Sequence, residues 1–130
     1  MLKFQALVFD QSIQASAQPV TYYTPAAMNE RLASADKLGI MAVTDTASGG
    51  GSQQVTVQIQ VSGDGMFWAN KNGTAEIANG TMGTTGVTSL YGADASASAS
   101  MGFVRLAITL STATTAHVKV YVAGRDPLAS

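Results

Sequence analysis

Three stretches of the chain alternate between apolar and polar positions with a period of two, the pattern of a strand that buries one face. In residues 55–61, Val55, Val57, Ile59 and Val61 fall on one side and Thr56, Gln58 and Gln60 on the other. In 103–110, Val104, Leu106, Ile108 and Leu110 oppose Arg105, Ala107 and Thr109. In 116–123, Val118, Val120 and Val122 oppose His117, Lys119 and Tyr121. The β-branched residues that dominate the apolar sides fit a pleated, half-buried surface.

Weaker patterns add further strands. Residues 2–9 are apolar on both sides, with Leu2, Phe4, Ala6 and Val8 against Leu7 and Phe9. Such a strand is either central in a two-layer core or covered by a partner. Residues 37–46 behave similarly, with Leu38, Ile40 and Ala42 against Met41 and Val43. Asn72-Gly73 tolerates the positive φ of a tight hairpin turn and predicts that 66–71 and 74–78 pair. Asn79-Gly80 and Asp64-Gly65 offer two more turns of that kind. Thr24-Pro25 suits the start of one short helix over 26–32. Residues 47–52 read as a connector, and 80–100 as a long loop in which Val87, Leu90 and Tyr91 offer one more edge strand. Frequent turn signals between short strands predict an all-β sandwich or barrel.

Composition supports a folded unit and removes several function classes. The 130 residues fit a single domain over 1–130. With 46% hydrophobic and 12% charged residues the chain is unlike a disordered one. A mean hydropathy of +0.17 reflects either abundant Ala and Val or surface covered in an assembly. Seven basic residues are scattered and the net charge is −1, so no basic cluster exists for nucleic acid. The N-terminal stretch is interrupted by Gln5, Asp10 and Gln11, and no uncharged apolar run reaches bilayer length, so no membrane partner is expected. The absence of cysteine removes disulfides, thiolate chemistry and Cys-ligated zinc.

Candidate chemistry is thin. His117 is the single histidine and falls on an outward side with Lys119 and Tyr121. The eight acids show no metal-ligand spacing, and Gly63-Asp64-Gly65 is followed by Met66, Phe67 and Trp68 rather than by calcium ligands. The glycines form no phosphate-binding motif. Phe67-Trp68, Tyr22-Tyr23 and Tyr91 are candidates for sugar stacking, but one of Phe67 and Trp68 is expected to plug the core. No catalytic, cofactor-binding or metal-binding residue is therefore expected, and no cofactor.

The runs VTVQIQVSGDGMFW (55–68), FVRLAITL (103–110) and VKVYVAGRD (118–126) resemble the small β-sandwich decoration, or cement, proteins of tailed-bacteriophage capsids. The resemblance covers about the last three-fifths of the chain and rests on strand-and-turn patterns. It implies a single antiparallel, jelly-roll-like β-sandwich of about eight strands with at most one short helix. It also implies a homodimer or homotrimer on the outer surface of the head, assembled in the host cytoplasm, whose partner is the major capsid protein. Leu2, Phe4, Leu7, Phe9, Tyr22 and Tyr23 offer apolar surface beyond one core face and are the expected interface residues. A carbohydrate- or receptor-binding virion module and a tail component are the alternatives.

Overall fold

The computed structural model describes residues 2–25, 32, 36–48, 53–82, 86–94, 102–112 and 114–126. Among the described residues nine strands follow one another: β1 (Leu2–Gln14), β2 (Val20–Tyr23), β3 (Asp36–Ser48), β4 (Gln54–Ser62), β5 (Ala69–Asn70), β6 (Ile77–Thr81), β7 (Gly86–Ala93), β8 (Phe103–Leu110) and β9 (Thr115–Asp126). Their pairing is nested. β1 pairs with β9, β2 with β8, β3 with β7 and β4 with β6, all antiparallel. Apart from the two-residue β5, the chain is thus one long double-stranded ribbon whose halves run back along each other. The ribbon is then rolled so that β3 joins β9 and β4 joins β8. Two sheets result, β1-β9-β3-β7 and β2-β8-β4-β5 with β6 on β4. This is the jelly-roll form of the β-sandwich.

The inward sides are those of the alternation. Ile40 and Ala42 on β3 and Val118, Val120 and Val122 on β9 face Val55, Val57 and Ile59 on β4 and Val104, Leu106, Ile108 and Leu110 on β8, all in one buried cluster. Val61, the last of its series, is only partly buried. Burial of such side chains contributes about 1.5–3 kcal/mol each. The short helix expected over 26–32 lies outside the described residues except for Leu32, which is buried in the same cluster.

Three local expectations are corrected. β1 is an edge strand rather than a central one. Its register against β9 shifts between Leu7 and Phe9, so Val8 is an extra residue, and the bulge turns both Val8 and Phe9 inward. The expected hairpin about Asn72-Gly73 does not form, because β5 and β6 each pair with β4 instead. Asn79-Gly80 is not a turn either. Asn79 takes a positive φ of 49° inside β6, where the ladder slips between Val55 and Val57. There the Thr56 hydroxyl donates to Asn79 Oδ1 and accepts from the Asn79 N–H, which holds the bulge closed. The further edge strand offered by Val87, Leu90 and Tyr91 does form, as the eight-residue β7 at the edge of its sheet.

A polar clamp ties the sheets together at one end. Lys71 Nζ bonds Asp94 Oδ2, and both side chains are largely buried. The Asn72 amide donates to Asp94 and to Glu76, whose other carboxylate oxygen accepts from the Ile59 N–H at 2.7 Å. Gly92 lies against this loop, and any side chain there would collide with the Glu76 carbonyl. The 71–76 loop is thereby held against the end of β7.

Candidate contact surfaces

Each sheet turns one face to the core and one outward, and the two outward faces differ. On the β1-β9-β3-β7 sheet, Leu7 is opposite Tyr121, Tyr121 opposite Met41, and Met41 opposite Tyr91. These four form an apolar and aromatic row across the full width of the sheet. Leu7 is 42%, Met41 40% and Tyr91 74% exposed. Gly39 supplies room for it. A Cβ there would meet the Tyr91 hydroxyl at 3.1 Å, so glycine lets the Tyr91 ring lie over the sheet. Val43 and the strongly exposed Val87 extend the patch on β3 and β7.

Beside this row, His117 on β9 meets β1. Ser12 Oγ and His117 Nδ1 share a hydrogen bond of 2.9 Å, and His117 Nε2 pairs with Asp10. Serine, histidine and aspartate in one cluster invite comparison with a nucleophilic triad. Such a triad needs a site screened from water and N–H donors aimed at the developing oxyanion. Here the group lies on an open sheet face. The surrounding β9 backbone is paired on both sides, with β1 and with β3, so its N–H groups point along the sheet plane. The arrangement is a hydrogen-bonded surface cluster on the outward side to which the alternation assigned His117. Among the described residues, no group of three His, Asp or Glu side chains is placed to hold a metal ion.

The outward face of the other sheet is polar, and its groups bond one another. Thr21 and Thr109 hydroxyls meet at 2.9 Å. The Gln58 amide donates to the Ile59 and Asn72 carbonyls. Gln60 Nε2 donates to Asn70 Oδ1, which orients its Oε1 to accept from Arg105 Nε at 2.8 Å. The Arg105 guanidinium carbon lies 3.8 Å from the Tyr23 ring centroid and 4.1 Å from that of Trp68. Both rings are within cation–π distance of the guanidinium.

Next to this stack, residues 62–67 make a rigid turn. Asp64 Oδ1 accepts from the Ser62 hydroxyl and from the Met66 and Phe67 N–H groups. Ser62 Oγ accepts from the Asp64 and Gly65 N–H groups. These bonds, chiefly those from the Phe67 and Met66 N–H groups, hold the Asp64 carboxyl below its ordinary value. Gly65 has φ +77°, as the Asp64-Gly65 turn signal requires, and packs on Phe103. The turn holds Met66 and Phe67 outward, 76% and 78% exposed. The expectation that Phe67 or Trp68 plugs the core is therefore corrected: the turn carries Phe67 past the end of the strand, and Trp68 is drawn onto Arg105.

Of the six expected interface residues, Leu7 and Tyr23 are exposed. Phe9 is buried at 3% and meets the half-buried Tyr22 edge to face at 6.2 Å. The Leu2 and Phe4 side chains lie outside the described residues. Sequence reasoning did not single out Arg105, Met41 or Tyr121 as contact residues. Their outward parity was readable, but their assembly depends on register between strands distant in sequence.

The fold has counterparts among solved structures. A chain in the structure of infectious bursal disease virus Gx strain superposes with a TM-score of 0.62 at 14% identity, over 94% of this chain and 31% of that one. The fold is one that virus particles use. The Gt strain structure gives 0.62 at 13% identity over 98% of this chain and 32% of that one. The VP2 subviral particle of the same virus gives 0.53 at 11% identity over 98% and 34%. The protein thus spans about one third of the length of those viral chains. No protein-family model matches the chain, and no curated protein sequence matches it.

Proposed function

We propose that this protein is a non-enzymatic structural component of a virus particle. In its most specific form, the reading is a capsid decoration protein on the outer surface of a tailed-phage head, bridging subunits of the major capsid protein. The observation that carries it is the likeness to virus-particle chains over nearly the whole length of the protein. The sequence resemblance to phage decoration proteins points the same way. Fold alone does not name a function, so the contact surface matters. The Leu7–Tyr121–Met41–Tyr91 row offers broad, flat apolar area of the kind that assembly covers.

Cryo-electron microscopy of heads assembled with and without the protein tests this reading. The expected result is added outer density at fixed positions between capsid subunits, with the four-residue row turned toward the shell or toward a second copy. Leu7→Asp should lower head occupancy at least about tenfold, the equivalent of about 1.4 kcal/mol. Heads with no added density would overturn the virion reading. Unchanged occupancy and unchanged solution mass in Leu7→Asp would remove this sheet face as the contact.

A further inference from the structure

The geometry points to a second docking site on the opposite sheet, where Arg105, walled by Tyr23 and Trp68, receives a carboxylate side chain of a protein partner. Met66 and Phe67 supply the flanking apolar anchors. Arg105 has five N–H donors. One, on Nε, is taken by Gln60. The four on the terminal nitrogens have no carboxylate among the described residues, where Asp94 is paired with Lys71 and Asp10 with His117. With Nε engaged by Gln60 and two rings packed against the guanidinium, its terminal N–H groups are the part left for recognition. A planar carboxylate matches those groups with two parallel hydrogen bonds. The arginine is also preorganised. Stacking and the Gln60–Asn70 relay fix its plane before any partner arrives, so little side-chain freedom remains to be lost.

The surroundings favour a protein over a glycan. A sugar needs free amides and hydroxyls for its own hydroxyl groups. Here both amide atoms of Gln60, the Gln58 amide nitrogen, Asn70 Oδ1 and the Thr21 and Thr109 hydroxyls already take part in bonds to one another, to Arg105 or to backbone. What stands out from this satisfied face is one cation and two apolar side chains on a braced turn. Trp, Tyr, Arg, Phe and Met together are the composition of the energetic centre of protein interfaces. This inference does not depend on the virion reading and lies on the other sheet from its contact row.

The test uses the full chain as bait for a displayed library of random short peptides, with Arg105→Gln and Phe67→Ser as parallel baits. The single tryptophan, Trp68, reports binding of the recovered peptides by its fluorescence. The expected peptides carry Asp or Glu beside apolar residues. They should weaken by about tenfold or more against either variant, and likewise when Gln replaces the peptide's Glu. Thermal melts of both variants establish that they fold, and Phe67→Ser sits on an exposed turn where folding is not at stake. Recovered peptides without acidic enrichment, or peptides indifferent to Arg105→Gln, would overturn the proposal. So would a glycan array that retains acidic sugars through Arg105 while no peptide binds.

Discussion

The two outward faces of the sandwich obey the same alternation and solve the problem of exposure differently. On the β2-β8-β4 face, Thr, Gln and Asn side chains bond across strands, so most polar groups there are satisfied without a partner. On the β1-β9-β3-β7 face, a row of Leu, Tyr, Met and Tyr crosses every strand. Apart from the two tyrosine hydroxyls, its side chains offer apolar surface that gains by being covered. A sheet face can therefore be finished by its own chain or left to be finished by another. Arg105 with the adjoining apolar turn is an exception on the polar face, a small unfinished spot in a largely self-bonded surface.

The sharpest way to break this comparison is to loosen the sheets from each other. Lys71→Met leaves the buried Asp94 carboxylate without its ammonium partner and should cost about 3 kcal/mol, read from chemical denaturation. Both faces would then respond together, since the clamp joins the loop after β5 to the end of β7. A smaller effect separates the faces. Arg105→Leu loses two ring contacts and the Gln60 hydrogen bond and should cost about 1 kcal/mol. Met41→Thr on the apolar row should stay within about 0.5 kcal/mol, because its neighbours leave it exposed in the isolated chain. Equal losses at the two positions would show that the apolar row is already finished internally.

The smallest expected effect concerns the turn that carries Phe67. The Asp64 carboxyl is held below its ordinary value of 3.8 by hydrogen bonds that favour its charged form. A depressed carboxyl contributes order that is complete above the unfolded value and lost as pH falls through the folded one. Local protease sensitivity at 62–67 should therefore be flat from neutrality to about pH 4 and rise only in stronger acid. Asp64→Asn should blunt that rise.

The sequence made the core legible because period-two alternation needs no knowledge of partners. Val104, Leu106, Ile108 and Leu110 occupy the inward positions expected of them. Asp64-Gly65 was also readable, since the turn is closed by residues within a few positions of each other. Asn72-Gly73 misled for the opposite reason. Its turn preference was outweighed when β4 took both β5 and β6 as partners, and the loop between them was claimed by Asp94 and Glu76. The bulge at Val8 was hidden because it appears only in the register with β9, more than a hundred residues on. Candidate contacts suffered most. Leu7, Tyr121, Met41 and Tyr91 lie on four strands, and nothing local in any of them announces the other three.

The nested ribbon has one more consequence. Because β1 and β9 are partners along their length, with Leu2 opposite Asp126, the chain enters and leaves the sandwich side by side. A unit with that geometry behaves like a bead on a loop: a longer polypeptide can carry it at a single surface point without parting its own strands. The same property makes it a ready host for fusion. A protein attached at either end would emerge from one corner, and both ends of an inserted linker would need to span only the width of a strand pair.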